Sequence, residues 1–498
     1  MTMSTRTRLP REPFTTARVV FLDLLEWAET KAPLDHAAFE EDLFCRGTEV
    51  LRVIFQNRLD QLSAIETAEF VQPDGASVRQ RSRQLMSTFG RLCFRRLGHK
   101  RPGETVWFPL DAMLNLPTGM YTHRLSRRVV EEGRAGSWEA AVKQIEETTG
   151  GHVPKRQAEA LAVAAAQDFD AFNALPLPAN QVLGADALLI ASSDSKGVRM
   201  LPTALREATR KTAAAEALTA VRGDPMAEKK PRSHDRRMAV VTAVWEQQPV
   251  KRAAQDIVSE LRRAPRAAAK RTKLPRPENK RLAASLEHGV TIAIKKMFDE
   301  IDRRDPTRQR RLIALVDGEE CQQGAILWTA GCRERPVTIV LDLIHVLHYL
   351  WMAGFALCRK NQKKTDVWLA EHLLLLLSEP VERLIEAIER TAKTRRLNVG
   401  ERKSVNRALR YFDRNRTFMD YPSFLANGFP IATGVIEGAC RHLVQDRLGI
   451  TGARWDLPGA EAVLRLRALD TSGDWDAYWR FHRQQESLRN HPVARAAA

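Results

Sequence analysis

Three short apolar runs, each followed directly by an aspartate, constrain the fold of this chain more than any other feature. They are LLIASS before Asp194, LIALV before Asp317 and TIVL before Asp342. Short apolar runs that are rich in β-branched residues are typical of buried strands. Segments with helical spacing of apolar residues separate and follow them. The pattern therefore predicts a mixed α/β fold, a class in which ligands bind at the ends of strands.

Length and charge limit the classes of protein to which this chain can belong. The chain has 498 residues, which suggests about three domains. Hydrophobic residues make up 44% of it, enough for folded cores, and the formal net charge is +17. A basic excess of this size indicates a polyanionic partner. Ribosomal and purely structural nucleic-acid proteins share such a charge, but they are usually shorter and less apolar.

The cysteines and the apolar segments indicate the compartment. Six scattered cysteines without a CxxC pair argue against a zinc module and against a disulfide framework, and they favour a reducing cytoplasm. The most apolar run, HLLLLLSEP, is too short to span a bilayer. The N-terminus has basic residues but lacks the apolar region of a signal peptide. We therefore expect a cytoplasmic protein without membrane contacts.

The segment SWEAAVKQIEETTGGHVPKRQAEALAVAAAQ predicts two helices separated by a Gly-Gly break. Lys155 and Arg156 begin the second helix, where a recognition helix first meets DNA. The segment is thus either a helix-turn-helix or an ordinary helical hairpin. A second basic segment, residues 251–281, is interrupted by prolines and alanines. It is either a solvated linker or a non-specific contact to the DNA backbone, whose neutralisation would flatten the salt dependence of binding.

The stretch PIATGVIEGACRHLVQDRLGITGARWD, residues 430–456, predicts a helix with an acid in its first turn. Apolar residues recur at helical spacing after Gly434 and form a stripe that we expect to be buried. Glu437 lies beside this stripe. A buried or half-buried carboxylate is costly unless a cation holds it, so the position of Glu437 suggests a cationic ligand.

Two aspartates from neighbouring strands and one glutamate from a helix would form a set of hard oxygen ligands. Such a set suits Mg²⁺, which binds through a few carboxylates and substrate phosphates. Two ions about 3.5–4 Å apart can clamp the attacking and leaving oxygens of a phosphodiester. Each acid has an alternative role, as a turn residue, a helix cap or a partner of the helix dipole. Asp342 fits the cap best, because it directly precedes the helix LIHVLHYLW, with His345 one turn later.

Several motifs together resemble the Kra-type insertion-sequence transposases of bacteria, which are DDE enzymes related to the Mutator-like superfamily. The motifs that carry the resemblance are PIATGVIEGACRHLVQDRLGITGARW, LDLIHVLHYLW, LIALVDG and SDSKGVRMLPTALREATRK. RRMAVVTAVWEQQPVKR, TGGHVPKRQAEALAVAAAQDFDAF and AEAVLRLRALDTSGDWDAYWRFH fit the same pattern. The resemblance extends from about residue 85 to residue 490, and the first 80 residues add little.

The resemblance implies a ribonuclease-H-like core with a helical insertion before the last acid. It also implies that Asp194, Asp317 and Glu437 are catalytic and hold two Mg²⁺ ions, for which Mn²⁺ could substitute. Asp342 and His345 match a D-x-x-H motif, which makes Asp342 a structural residue and not a ligand. The first motif of the family usually reads D-G-K-G and here reads D-S-K-G, which leaves reduced activity or a decaying copy as an alternative.

The domain organisation follows from the linker LPLPANQ at 175–181 and from the resemblance. It comprises a helical N-terminal region (1–80), a mainly helical DNA-binding domain with a helix-turn-helix (81–174), the first part of the core with its basic segment (182–349), a helical insertion (350–430), and the last part of the core with a basic tail (431–498).

The implied function is cleavage at insertion-sequence ends and transfer of the 3′-hydroxyl into target DNA. The partners would be inverted-repeat ends and target DNA, with the transposase acting as a homo-oligomer in association with the nucleoid. Two alternatives stay open. One is a catalytically inactive or domesticated transposase that only binds DNA. The other is a structure-specific nuclease, which would lack the helix-turn-helix at 137–167.

Further DNA contacts are expected around the acids. Lys196 and Arg441 are candidates for phosphate contacts; otherwise Lys196 is simply solvated and Arg441 pairs with Glu437. Arg454 and Trp455 lie in the loop after the glutamate helix. Trp455 either stacks on an unstacked base or packs in the core.

Overall fold

The computed structural model describes residues 14–491 except 34, 71–74, 177–183, 185, 213–234, 262–274 and 433. The chain divides into two compact units, Met1–Ala174 with Asp474–Ala498, and Leu175–Gly473. The predicted linker at 175–181 begins at this division. The predicted last domain, 431–498, is split between the units, because the final helix groups with the N-terminal residues.

The first unit combines helices with a two-stranded sheet. Its elements are α1 (Thr15–Thr30), α2 (His36–Ala68), β1 (Ser77–Ser87), β2 (Gly90–Lys100), α3 (Pro109–Met113), α4 (His123–Ala135), α5 (Trp138–Thr148), α6 (Lys155–Ala165), α7 (Phe169–Asn173) and the C-terminal helix (Trp475–Asn490). The helices expected in the N-terminal region (1–80) and in the mainly helical domain (81–174) are therefore confirmed. The sequence ETVWFPLDAMLNLP predicts a short extended stretch ended by prolines. It instead contains α3, since Pro109 occupies a position at which proline starts helices.

The antiparallel hairpin β1–β2 is the element of this unit that the sequence pattern does not predict. Arginine alternates with other polar residues along the outer part of β1, so the apolar-polar alternation of a half-buried strand is lost there. Only the inner end is apolar. Leu85, Leu92 and Phe94 pack there with Leu59 of α2 and Leu110 of α3 in one buried cluster.

The second unit contains a five-stranded mixed sheet. Its strands are β3 (Leu188–Arg199), β4 (Arg236–Gln247), β5 (Glu278–Ser285), β6 (Leu312–Val316) and β7 (Thr338–Leu341), in the order β5-β4-β3-β6-β7. The first three strands are antiparallel neighbours, whereas β6 and β7 run parallel to β3. The expectation of a mixed α/β fold is thus confirmed.

Helices surround this sheet and fill the long segment after β7. They are α8 (Ala254–Leu261), α9 (Val290–Arg304), α10 (Glu320–Cys332), α11 (Leu343–Leu357), α12 (Gln362–Ser378), α13 (Val381–Thr394), α14 (Val399–Arg414), α15 (Tyr421–Ala426), α16 (Val435–Ala439), α17 (Asp446–Leu448) and α18 (Leu457–Thr471). The segment 350–430 is helical, as expected.

Two details of the second unit differ from expectation. The sequence predicts a long amphipathic helix from Leu282 to about Arg304, but α9 begins only at Val290. Leu282 and Ala284 instead belong to β5, where they are buried with the period of a strand. The strand expected to end at Asp194 continues to Arg199, since β4 pairs with it along its whole length. The central part of the basic segment 251–281, residues 262–274, lies outside the described residues.

Candidate active site

Asp194 lies on β3, and Asp317 directly follows β6, the parallel strand next to it. The pairing of β3 with β6 runs from Leu189↔Leu312 to Ser192↔Leu315. Asp194 and Asp317 each lie two residues beyond the last of these pairs. The register therefore places the two acids beside each other at the end of the parallel pairing. Neighbouring residues of paired strands project to the same face. Both side chains are half-buried.

The surroundings of Asp317 disfavour its charge. Burial raises the pKa of Asp317, and the negative charge of Asp194 acts in the same direction. The backbone N–H of Glu319 opposes this by donating to Asp317 Oδ1 at 2.9 Å. Because the charge of Asp194 raises the pKa of Asp317, the two carboxylates lie within close electrostatic range.

The loop after β6 is held by α14 of the helical segment. Tyr411 Oη donates to the Asp317 carbonyl at 2.8 Å, and Arg414 Nη2 donates to the Gly318 carbonyl at 2.9 Å. Gly318 has φ = +97°, and a Cβ there would lie 2.9 Å from Tyr411 Cε2. Glycine is therefore required where the chain turns away from Asp317.

Glu437 lies in the first turn of α16, after the helical segment, as expected. Its side chain is exposed, so the argument that it needs a cation to offset burial is wrong. The apolar stripe beside it is buried and includes Ile436, Ala439 and Cys440. The helix then widens to a π-helical segment, Cys440–Gln445, an irregularity that is frequent at functional sites.

Cys440 connects the glutamate helix to β3. Its Sγ donates to Asp194 Oδ2 at 3.3 Å. Burial raises the pKa of the Cys440 thiol, and the charges of Asp194 and Glu437 act in the same direction. The thiol therefore stays protonated and remains a donor to Asp194. It also lies within electrostatic range of both acids.

Asp342 caps a helix, as the alternative assigned to it predicts. Its Oδ1 accepts from the N–H of Ile344 at 2.7 Å at the start of α11, and its side chain is buried. His345 Nδ1 lies 3.9 Å from Asp342 Oδ1. Interaction with Asp342 raises the pKa of His345, and the charges of Asp317 and Glu437 contribute in the same direction. His345 thus lies within the field of three carboxylates.

The donor set fits magnesium by chemistry. Asp194, Asp317 and Glu437 are hard oxygen ligands, and the raised pKa of Asp317 marks a position where a cation would be favourable. Within the described ranges, no three His, Cys, Asp or Glu side chains form a ready-made metal site. Glu437 is exposed and makes no ion pair with a described residue, so its rotamer is free to change.

The candidate DNA contacts of the second unit fall into two groups. Lys196, Arg441 and Arg454 are exposed. Arg441 lies 3.6 Å from Asp446 and makes no ion pair with Glu437 among the described residues. Trp455 is different, because its indole is only 7% exposed and its Nε1 donates to the Leu448 carbonyl at 3.3 Å. The core alternative for Trp455 is therefore the one that the structure supports, and base stacking is not.

The predicted helix pair in the first unit is present as α5 and α6, and both helices pack against α4. Lys155 and Arg156 begin α6 and are exposed. Lys155 forms an ion pair with Glu139 of α5, while Arg156 makes no ion pair within the described ranges. Arg156 is therefore the less compensated cation at the start of this helix.

Sequence analysis does not identify three residues that contact Asp194 or the loop at Asp317 and Gly318. They are Tyr411, Arg414 and Cys440, each far along the chain from the acid or loop that it contacts. Only the position of Cys440, one turn after Glu437 on the expected buried stripe, could have indicated its contact.

The chain matches no protein-family model and no curated protein. No helix in the described ranges is both long and apolar enough to cross a bilayer. Functional inference therefore depends on the geometry of the site.

Proposed function

We propose that this chain is a DNA transposase of the DDE type, similar to the Kra-type insertion-sequence enzymes. The observation that carries the proposal is the matching register of Asp194 and Asp317 on β3 and β6, with Glu437 in the same electrostatic environment. The reaction would be cleavage at element ends followed by transfer of the 3′-hydroxyl into target DNA.

The sheet supports a ribonuclease-H-like core. Three antiparallel strands followed by two parallel ones, in the order β5-β4-β3-β6-β7, are compatible with that fold. The helical segment between β7 and the glutamate helix corresponds to the insertion that such transposases carry before their last acid. These features favour the DDE proposal over an unrelated phosphodiesterase.

The acids would supply the chemistry together with bound metal. Asp194, Asp317 and Glu437 would hold two Mg²⁺ ions, which lower the pKa of an attacking water or 3′-hydroxyl and stabilise the departing oxygen. Cys440 orients Asp194 through its thiol hydrogen bond. Tyr411 and Arg414 fix the backbone of Asp317 and Gly318. The exposed Lys196 and Arg441 would contact phosphates and position the DNA without reading its sequence.

The first unit would recognise the inverted-repeat ends. Helices α5 and α6 pack on α4, and exposed Arg156 begins the second helix of the pair. This helix pair favours a transposase over a structure-specific nuclease, which would have no need for it. The net charge of +17 agrees with binding to two DNA partners, the element ends and the target. We place the active protein on DNA as a homo-oligomer.

A cleavage assay tests the proposal. The substrate is a plasmid that carries the gene with its native flanking DNA, incubated with the full-length protein and Mg²⁺. We expect cleavage at the element ends by the wild type and its loss in Asp317→Asn, while affinity for the flanking DNA changes less than about twofold, since the substitution removes a metal ligand and not a DNA contact.

Glu379→Gln is the matched control, because Glu379 is an exposed acid at the end of α12, away from the proposed ligands. It should cleave at the wild-type rate. Cleavage by Asp317→Asn at the wild-type rate would contradict the catalytic role. DNA binding by the wild type without cleavage in Mg²⁺ or Mn²⁺ would instead support the inactive, DNA-binding alternative.

A further inference from the structure

The outer end of the hairpin β1–β2 carries a groove lined by cations. It has a volume of about 400 Å³, and its charged lining residues are Arg79, Arg81, Lys100 and Arg101. The strand register explains the clustering. Ser77 pairs with Lys100, Arg79 with Gly98 and Arg81 with Arg96, so Arg79, Arg81 and Lys100 project from one face of the hairpin. Arg101 directly follows β2.

Among the residues that the structure describes, no acid lines the groove, and none of the four cations makes an ion pair. Like charges that face each other across strands are destabilising. A folded protein that keeps four of them together has a surface suited to an anion.

Further inward on the same face of the hairpin, the arginines pair with an acid. Arg83 Nη1 lies 2.5 Å from the buried Asp111 Oδ2, and Arg96 pairs with the same oxygen. Burial lowers the pKa of Arg96 to about 10, and repulsion from Arg83 and Arg81 contributes. The inner arginines thus form ion pairs with a buried carboxylate, whereas the outer ones have no ion-pair partner among the described residues.

The floor of the groove is uncharged. Gly98 lies between the cations, and a Cβ there would come within 2.8 Å of Phe108 Cε1 and 3.0 Å of Val106 Cγ1. Gly75, Ser77, Pro102 and Val106 complete the lining, and none of them is charged. Cations around an uncharged floor suit a phosphate backbone, which Arg and Lys side chains contact most often in DNA complexes.

We propose that this groove binds the phosphate backbone of duplex DNA, as a contact separate from the helix pair α5–α6. The proposal rests on the proposed function for its choice of polyanion. Four phosphate contacts would make the groove a large contributor to non-specific affinity, since each neutralised phosphate releases condensed counterions.

The test measures the affinity of the full-length protein for a random-sequence duplex of about 30 base pairs by fluorescence anisotropy between 50 and 200 mM salt. The variant Arg79→Gln/Arg81→Gln should bind at least about tenfold more weakly at 100 mM salt. Its slope of log K against log salt should fall in magnitude by about 2, because two phosphates would no longer be neutralised. Arg79→Lys/Arg81→Lys should keep most of the slope.

Arg91→Gln/Arg95→Gln is the matched control. It removes the same charge from the same hairpin, but both residues are exposed on the opposite face. We expect its slope to stay within about 0.5 of the wild type. Circular dichroism and the melting temperature would verify that all variants fold.

The outcomes separate this proposal from the proposed function. Equal decreases of affinity in the two Gln pairs, or an unchanged slope in Arg79→Gln/Arg81→Gln, would overturn the proposal that this groove binds DNA. Either result would leave the transposase proposal intact and would point to another anion, such as an acidic protein. Failure of the wild type to bind duplex DNA would overturn both.

Discussion

Tyr411 connects the helical segment to the candidate site through one hydrogen bond and one ring stack. Its hydroxyl donates to the Asp317 carbonyl at 2.8 Å, and its ring stacks on Tyr349 with centroids 3.8 Å apart. Burial raises the pKa of Tyr411, so the hydroxyl remains a donor at any physiological pH. The position of the Asp317 backbone thus depends on a residue of α14.

Replacing Tyr411 with Phe should separate positioning from packing. The ring stack survives, while the carbonyl of Asp317 loses its donor, which should cost about 1–2 kcal/mol of unfolding free energy. Small displacements of a catalytic group have large effects on rate. We expect end cleavage to slow by about tenfold, with DNA affinity unchanged, in the plasmid assay and in urea unfolding.

Tyr349→Phe provides the matched control, because it removes a hydroxyl from the other ring of the same stack. The Tyr349 hydroxyl makes no hydrogen bond with a residue in the described ranges. This variant should cleave at the wild-type rate. Equal slowing in Tyr349→Phe and Tyr411→Phe would show that the stack matters and the hydrogen bond does not.

At the scale of elements, the turn between α5 and α6 packs directly on the hairpin turn of β1–β2. The N–H of Gly150 donates to the Thr88 carbonyl at 2.9 Å, and a Cβ on Gly150 would lie 2.6 Å from the Phe89 carbonyl oxygen. A Cβ on Gly151 would likewise lie 2.9 Å from the Ser87 carbonyl oxygen. The Gly-Gly break thus serves a close backbone approach as well as the change of direction.

Gly150→Ala should therefore destabilise the first unit. The added methyl group meets backbone, which cannot move aside as a side chain can, so we expect a loss of about 1–3 kcal/mol, the range for overpacking. Displacing α6 should also weaken binding to the element ends more than binding to random DNA. Thermal unfolding and anisotropy would measure the two effects.

Gly136→Ala is the control at the other end of α5. Gly136 has φ = −124°, which alanine adopts, and its Cβ would meet only the Ala140 methyl at 3.9 Å. We expect its stability to change by less than about 1 kcal/mol. A melting temperature of Gly150→Ala no lower than that of Gly136→Ala would contradict the close-packing argument.

At the scale of the whole molecule, an ion network joins distant parts of the chain within the first unit. Asp168, just before α7, accepts from His482 Nδ1 at 2.7 Å and from Arg489 at 2.6 and 2.9 Å. Burial by itself raises the pKa of Asp168, but the hydrogen bonds from Arg489 and His482 outweigh it and the pKa is lowered. The C-terminal helix is thereby attached to residues more than 300 positions earlier.

The lowered pKa of Asp168 predicts a pH dependence of stability. Its contribution is fully present above the unfolded pKa of aspartate, about 3.9, and is lost as the pH falls through the lower folded value. Asp168→Asn should cost about 3 kcal/mol at pH 7, the lower end of the range for broken buried pairs, because Arg489 is partly exposed. Below about pH 4 the difference between wild type and variant should shrink.

Hydrogen exchange of residues 475–490 between pH 3 and 7 would measure the local effect. Asp60→Asn, an exposed acid of α2 in the same unit, is the control and should leave exchange of the C-terminal helix unchanged. A constant difference between wild type and Asp168→Asn across this pH range would refute the linkage to Asp168.

The sequence by itself determined the features that local patterns control. Asp317 and Asp342 directly follow buried runs whose period and length specify strands, and Asp342 caps the next helix because a cap needs only neighbouring atoms. The helical segment after β7, the α5–α6 pair and the helix that carries Glu437 follow from spacing alone. These elements form from contacts within a few residues along the chain.

Only the tertiary structure decided which of these parts meet. The register of β3 on β6 sets Asp194 beside Asp317, and Tyr411 reaches Asp317 across 94 residues. Burial depends on packing between elements, so only the fold selects the core alternative for Trp455 and exposes Glu437, which its apolar neighbours suggest is buried. The hairpin β1–β2 has no apolar alternation in its outer part, since its stability comes from eleven cross-strand pairs and from packing on α2. Long-range pairing is not encoded in any short window of sequence, and for that reason it appears only in the fold.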